Sequence, residues 1–172
     1  MAEIIFITGG ARSGKSRFAE KLAVKYAPPL LYVATAGVHD DGMSDRVARH
    51  RERRGDQWQT VEEELDLAGV IAGHDGYFGC ALVECVTLWI TNLMLKYEDN
   101  AAVIGKVREL VATVPTLKTP LIFVTNETGM GIVPDNALAR RFRDLAGEAN
   151  EILAAAADEA YALFSGLPVK LK

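Results

Sequence analysis

A glycine-rich segment near the start of the chain limits the possible folds more than any other feature. It runs from Gly9 to Ser16, reads GGARSGKS, and fits the pattern G-x-x-x-x-G-K-S. An apolar run at 4–8 precedes it and predicts a buried strand, and a helical pattern at 16–26 follows it. Strand, glycine loop and helix in this order bind nucleotide phosphates in α/β proteins. The sequence therefore predicts a phosphate site at the end of its first strand.

The residue types of this loop suit that chemistry. Glycines allow the backbone to aim its N–H groups at phosphate oxygens, and the start of the helix adds a positive dipole end. We expect Lys15 to bridge the outer phosphates and the Ser16 hydroxyl to bind Mg²⁺. Every residue of the loop is a predicted nucleotide contact: Gly9, Gly10, Ala11, Arg12, Ser13, Gly14, Lys15 and Ser16.

A carboxylate at the end of a neighbouring strand is expected to complete the magnesium shell. Two residues qualify, because Glu84 closes the apolar run at 81–84 and Glu127 follows the run at 121–126. We favour Glu84 as the metal ligand beside Ser16, and the role of Glu127 stays open.

Apolar runs and helical patterns alternate along the chain, which predicts a single α/β domain with a mostly parallel sheet. The chain has 172 residues, 49% of them hydrophobic, which suits a single domain with one hydrophobic core. The predicted strands, each interpreted as buried on both faces, lie at 4–8, 30–34, 81–85, 121–125 and 160–164, with a closing hairpin strand at 169–171. Predicted helices lie at 16–26, 103–114 and 135–157, the last with an interruption near Gly147.

One further helix, at 88–97, is apolar on nearly every side. For so short a helix, this pattern predicts burial against more than its own sheet. We interpret it as a subunit interface.

The charge balance excludes some classes of partner. With 19 Lys and Arg against 23 Asp and Glu, the net charge is -4, which argues against nucleic acid and anionic lipid. The apolar runs fall well short of the ~20 residues of a membrane helix, so we expect no membrane insertion. Glu3 and the glycine-rich segment within the first ten residues do not fit a secretory signal, so we expect a cytoplasmic protein. The two cysteines, Cys80 and Cys85, are expected to be reduced, and no structural metal is predicted.

The second unusual segment carries five arginines within the nine residues 46–54, around His50. Helical spacing places Arg46, Arg53 and Arg54 on the face of His50. A solvated basic face is the simpler interpretation, but like charges at this density favour an anionic partner. Neighbouring cations would keep the imidazole neutral and nucleophilic while the arginines hold phosphate oxygens. A neutral histidine beside phosphate-binding arginines could attack a nucleotide phosphorus and form a covalent phosphoramidate.

Together these motifs resemble the bifunctional adenosylcobinamide kinase / adenosylcobinamide-phosphate guanylyltransferase family of cobalamin biosynthesis. The resemblance extends over nearly the whole chain. It depends on the loop at 9–16 and on the segments at 32–36, 43–54, 84–89, 125–134 and 140–147, together with Trp58, Glu62, the run at 91–93 and Asn150.

The resemblance implies two reactions. A phosphate passes from ATP or GTP to a hydroxyl of adenosylcobinamide, and GMP from GTP is then attached to that phosphate through a guanylylated histidine, giving adenosylcobinamide-GDP and pyrophosphate. In the matching segment that histidine can only be His50. The resemblance also implies a three-layer RecA-like fold, a homotrimer, a corrinoid substrate and further nucleotide contacts at Ala34, Thr35, Ala36, Arg51, Glu52, Arg53, Arg54, Glu62 and Glu84.

Two other functions fit the residues. In a P-loop small-molecule or nucleoside kinase without a covalent intermediate, the arginine segment would clamp the phosphate of the substrate. In a nucleotide-gated switch, slow hydrolysis would occur without any acceptor.

Overall fold

A mostly parallel sheet forms the centre of the computed structural model, which describes residues 2–36 and 55–172. Among these residues its strands are β1 (Ile4–Gly9), β2 (Leu30–Ala34), β3 (Trp58–Glu62), β4 (Ala81–Glu84), β5 (Leu121–Val124), β6 (Glu159–Phe164) and β7 (Leu167–Lys170). Their order across the sheet is β3-β2-β4-β5-β1-β6-β7. All neighbours pair in parallel except β6 and β7, which form an antiparallel hairpin. The predicted closing hairpin is therefore present.

The described helices are α1 (Lys15–Ala23), α2 (Leu67–Gly73), α3 (Val86–Lys96), α4 (Asn100–Thr113) and α5 (Ala137–Ala156). Side chains cap three of them, because Asp66, Asp99 and Asn136 accept hydrogen bonds from backbone N–H groups in the first turns of α2, α4 and α5. Helix α5 continues through Gly147, so the predicted interruption there is wrong. Buried residues on both sides of this glycine, Leu145 and Asn150 among them, hold the helix against the core.

Two apolar layers cover the two faces of the sheet. Because side chains alternate along a strand, Ile4 and Phe6 face one layer and Ile5 and Ile7 face the other. The first layer contains residues of α2, α3, α4 and α5, and the second contains α1. The predicted three-layer α/β fold is thereby confirmed for the described residues.

The edges of the sheet differ from the prediction. Strand β3 and the short helix α2 were not predicted at all. Strand β7 is exposed along its whole length, so the interpretation of every strand as buried on both faces is wrong there. The reason is its position at the outer edge, where Pro168, which has no N–H to donate, is also tolerated.

The apolar character of α3 is explained largely within one chain. Trp89, Ile90, Leu93 and Met94 are all buried in the core of the protomer. The helix packs against α4 and α5, which confirms its predicted burial against more than the sheet. Leu95, which is 80% exposed, is an exception. The pattern on α3 therefore does not by itself indicate a subunit interface. No helix within residues 2–36 and 55–172 is long and apolar enough to cross a membrane.

Candidate active site

The carboxyl ends of the six parallel strands, β1 to β6, lie at one edge of the sheet. Their register aligns Ala34 with both Glu62 and Glu84, and it aligns Val124 with both Glu84 and Ile7. Parallel α/β sheets bind their ligands at this edge. The phosphate loop leaves β1 at the same edge, so the predicted site residues within the described chain lie along this edge.

The loop between β1 and α1 has the backbone of a tight anion-binding turn. Three of its residues have positive φ angles, which are 149° at Gly9, 55° at Arg12 and 93° at Gly14. A Cβ atom at Gly9 would lie 2.5 Å from the carbonyl oxygen of Leu163, so the close approach of β6 requires glycine there. A positive φ at a residue with a side chain is uncommon and typical of functional loops, which is the case for Arg12.

Lys15 is the first residue of α1 and only 7% of its surface is exposed. Its Nζ donates a hydrogen bond of 2.7 Å to the carbonyl oxygen of Gly10 at the other side of the loop. The ammonium group is therefore held at the loop itself, where it can neutralise the outer phosphates of a nucleotide.

The hydroxyl of Ser16 donates a hydrogen bond to Oε1 of Glu84. The other carboxylate oxygen, Oε2, accepts a hydrogen bond of 3.2 Å from the hydroxyl of Tyr32. The two residues predicted as magnesium ligands thus lie in direct contact. A hydroxyl and a carboxylate are hard oxygen donors that suit Mg²⁺. Within the described residues no cluster of three metal-ligating side chains occurs, and none is needed, because Mg²⁺ keeps waters and phosphate oxygens as ligands.

A cleft of about 370 Å³ opens above these groups. It is lined by residues 11–17 of the loop and α1, and by Glu84, Cys85, Val124 and Asn126. Three of the lining residues are cationic: Arg12, Lys15 and Arg17. The volume and the charge suit a polyphosphate.

The other described residues that were predicted to contact nucleotide lie beside this cleft or further along the sheet edge. Thr35 is fully buried, and its hydroxyl both donates to the Cys85 carbonyl and accepts from the Cys85 N–H, each at 2.8 Å. Ala34 is buried, Ala36 is half-buried, and Glu62 is exposed at the end of β3. The side chain of Thr35 thus joins the ends of β2 and β4, and nucleotide contacts at these residues stay predictions.

His50, Arg51, Glu52, Arg53 and Arg54 lie outside the described residues, so their roles also stay predictions. Sequence reasoning assigned no role to Tyr32 or Asn126. Asn126 carried a signal, because it is the last residue of the run at 121–126 that drew attention to Glu127.

Comparison with known proteins identifies the family of the chain. The sequence model of a family described as cobinamide kinase / cobinamide phosphate guanyltransferase matches residues 5–171. The chain belongs to this family. Membership confirms the resemblance inferred from the motifs and the expected enzyme class, which combines a kinase with a guanyltransferase.

Curated relatives match over nearly their full length. The bifunctional adenosylcobalamin biosynthesis protein CobU is 40% identical in Escherichia coli strain K12 and 41% identical in Salmonella typhimurium, and each match covers 98% of this chain and 99% of the relative. The bifunctional adenosylcobalamin biosynthesis protein CobP of Pseudomonas aeruginosa is 42% identical, and the match covers 96% of this chain and 95% of CobP.

Solved structures support the fold. The ATPase EscN of an enteropathogenic E. coli type III secretion system, in complex with its stalk EscO, matches 95% of this chain with a TM-score of 0.61 and 13% identity. A second type III secretion ATPase matches 98% with a TM-score of 0.56 and 11% identity. The chain spans 42% and 56% of those proteins. At such identities the likeness concerns the fold alone, and it agrees with the predicted RecA-like arrangement.

Proposed function

We propose that this protein phosphorylates a hydroxyl of adenosylcobinamide with ATP or GTP, and then attaches GMP to the product through a guanylylated His50. The observation that carries the phosphoryl-transfer half is the contact of Ser16 with Glu84 beside Lys15, at the mouth of a cationic cleft. Family membership supports the guanylyl-transfer half.

In the first reaction the chain acts by positioning and electrostatics. The loop N–H groups and the start of α1 hold the inner phosphates, and Lys15 neutralises the outer ones. Ser16 and Glu84 would hold Mg²⁺, which when bound neutralises charge on the phosphate oxygens. Tyr32 keeps the Glu84 carboxylate at the loop by a hydrogen bond to its second oxygen.

In the second reaction His50 is the nucleophile. Its neutral imidazole nitrogen attacks the α-phosphorus of GTP, so that a P–N bond forms, a P–O bond breaks and pyrophosphate leaves. A phosphate oxygen of the phosphorylated corrinoid then displaces the imidazole, which restores His50 and gives adenosylcobinamide-GDP. Arg51, Arg53 and Arg54 would hold the phosphate oxygens, and Glu52, Glu62 and the run at 34–36 are the further proposed nucleotide contacts.

Intact-protein mass spectrometry after incubation with GTP and Mg²⁺, without any corrinoid, tests the covalent half. We expect a gain of one GMP with release of pyrophosphate. A plain P-loop kinase would show no adduct, and a nucleotide switch would release only inorganic phosphate. An unchanged mass would contradict the histidine intermediate, whereas transfer of phosphate from labelled ATP to the corrinoid would still test the kinase half.

We also propose that the protein is a homotrimer, as the resemblance implies. Two apolar features support association between copies: Leu95 on α3 is 80% exposed, and the outer strand β7 exposes Leu167 and Val169. An edge strand with exposed apolar side chains offers a surface for contact with another copy. Sedimentation at micromolar concentration decides the question, and a monomer contradicts the proposal. Leu95→Asp then tests α3 as the interface, whereas Leu93 is fully buried and its replacement would disrupt the protomer itself.

A further inference from the structure

The chain segment after β5 continues along β1 until it reaches the phosphate loop. The N–H of Thr125 donates to the carbonyl oxygen of Ile7, and the N–H of Glu127 donates to that of Gly9, both at 3.0 Å. Asn126 lies between these two anchor points. The residue lines the cleft, together with Glu84 and the loop residues.

A buried polar network holds the backbone of Asn126. Its N–H donates to Oγ1 of Thr87 at 2.7 Å, and its carbonyl oxygen accepts from Nδ2 of Asn150 at 3.2 Å. Thr125 Oγ1 donates to Asn150 Oδ1 at 2.8 Å and lies 3.2 Å from Thr87 Oγ1. Thr87, Thr125 and Asn150 are each at most 8% exposed. Buried networks with satisfied partners are rigid, so α3, β5 and α5 together fix one residue at the cleft wall.

The side chain of Asn126 takes no part in that network. Both of its backbone groups are engaged, but its amide makes no hydrogen bond to any residue within 2–36 or 55–172. The amide offers one acceptor oxygen and two N–H donors to a ligand in the cleft. A polar group left open on a rigid support is the arrangement expected of a ligand contact.

We infer that Asn126 is a catalytic residue of the kinase step, whose amide N–H binds the terminal phosphate of the nucleotide. The N–H groups of the loop hold the inner phosphates, and Asn126 follows the neighbouring strand β5 and lines the same cleft as the loop. Of the three phosphates of the nucleotide, the terminal one extends beyond the loop. It is also the phosphate that is transferred. The inference depends on the proposed phosphoryl transfer.

The chemical type of the residue fits this role. A neutral N–H donor can stay hydrogen-bonded to the negatively charged phosphoryl group during its transfer, whereas a carboxylate would repel that group. The neighbouring Glu127 is such a carboxylate, and it is absent from the described lining of the cleft. Its Oε1 instead accepts a hydrogen bond of 3.3 Å from the N–H of Gly129.

Asn126→Ala tests the inference and keeps the hydrogen bonds of the network, because Thr87 and Asn150 bond to the backbone N–H and carbonyl oxygen of residue 126. Fluorescent GDP and a fluorescent non-hydrolysable GTP analogue serve as probes, with Mg²⁺ present. We expect affinity for the triphosphate to fall about tenfold, as for the loss of one hydrogen bond to a charged group, and affinity for the diphosphate to stay within about twofold. The unfolding temperature should not change.

Kinase turnover provides the second measurement. Turnover should fall at least about tenfold in Asn126→Ala and further in Asn126→Asp, which has the same size but carries a repelling charge. Glu127→Gln is the matched control at the adjacent position, and its selectivity for the triphosphate over the diphosphate should equal that of the wild type.

Three results would overturn the inference. Asn126→Ala could lose affinity for the diphosphate and the triphosphate equally, or its unfolding temperature could fall enough to account for the loss of affinity. The third is that Glu127→Gln loses selectivity for the triphosphate while Asn126→Ala keeps it. Failure of the proposed function has a different signature. In that case the wild-type protein itself would transfer no phosphate to the corrinoid.

Discussion

Gly166, in the turn between β6 and β7, donates its backbone N–H to the carbonyl oxygen of Ser13 in the phosphate loop, at 2.9 Å. A Cβ atom at Gly14 would lie 3.3 Å from the Cα atom of Gly166, so turn and loop pack backbone against backbone. The turn of the C-terminal hairpin, although exposed, therefore supports the predicted phosphate loop.

Gly14→Ala should weaken both stability and nucleotide binding. Gly14 has a φ of 93°, a conformation that costs a residue with a Cβ atom roughly 1–2 kcal/mol, and the added methyl group would also press on Gly166. Denaturant unfolding measures the loss of stability, and nucleotide titration measures the loss of affinity. A variant with wild-type stability and affinity would show that the packing of turn on loop is not needed.

Gly147→Ala is the matched control for that experiment. This glycine lies inside α5, and a Cβ atom there would meet no other atom within 4 Å. Alanine should therefore raise stability by about 0.5–1 kcal/mol, because it removes the entropic cost of glycine in a helix. Nucleotide affinity should be unchanged.

The part of the site that is formed by consecutive residues could be predicted from the sequence. Strand β1, the loop and the start of α1 are consecutive, and each carries a strong signal. Strand β3 was missed because Trp58–Glu62 alternates weakly and lies half-buried at an edge. Helix α2 has seven residues, too few for a helical period to stand out.

The support of the site could not be predicted in the same way. Asn150 is 24 residues from Asn126. The family resemblance includes Asn150, but nothing in the sequence indicates which residues it contacts. Its contacts to Thr125 and Asn126 arise when α5 packs on the sheet next to α3. Hydrogen-bond partners of this kind are determined by tertiary packing, which cannot be predicted from a local sequence pattern.

Tyr32→Phe should weaken the affinity of the enzyme for magnesium. The variant keeps the ring and removes the hydroxyl that donates to Glu84 Oε2, so the carboxylate is held less firmly beside Ser16. Loss of such an outer contact costs about tenfold or more in metal affinity. Kinase rates measured against Mg²⁺ concentration should show a higher half-saturation point and a similar maximal rate. An unchanged half-saturation point would contradict the role of Tyr32.

The two cysteines should react very differently with thiol reagents. Cys80 is fully buried, and burial raises the pKa of its thiol to about 12, so little of the reactive thiolate forms. Cys85 is half-buried and lines the cleft. At about pH 8 we expect one label per chain, at Cys85, and slower labelling when nucleotide is bound. Cys85→Ala should take up no label, and rapid labelling of Cys80 would contradict its burial.

Lys15→Ala should lose kinase turnover. The compact ammonium at the loop neutralises the outer phosphates, and its removal leaves this charge to the backbone amides and the remaining loop cations. Loss of a positioned charge donor costs about 3 kcal/mol, which corresponds to a rate decrease of about a hundredfold. Turnover within about threefold of the wild type would contradict the assignment of the phosphate loop.

His50→Ala should separate the two reactions. The histidine is needed as a nucleophile only for guanylyl transfer, whereas phosphoryl transfer to an alcohol depends on positioning at Lys15, Ser16 and Glu84. The variant should therefore still bind nucleotide and phosphorylate adenosylcobinamide, but it should gain no GMP and form no GDP-linked product. His50→Asn should fail equally, because it keeps polarity without nucleophilicity.

The chemistry of the adduct completes this test. A P–N bond to imidazole should be labile in acid and stable in base, unlike a serine ester, so the mass gain of the wild type should disappear after acid treatment and survive alkali. Peptide mapping should place the GMP on His50. Recovery of the adduct on Lys15, or undiminished guanylyl transfer by His50→Ala, would contradict the histidine mechanism while leaving the family and the fold unaffected.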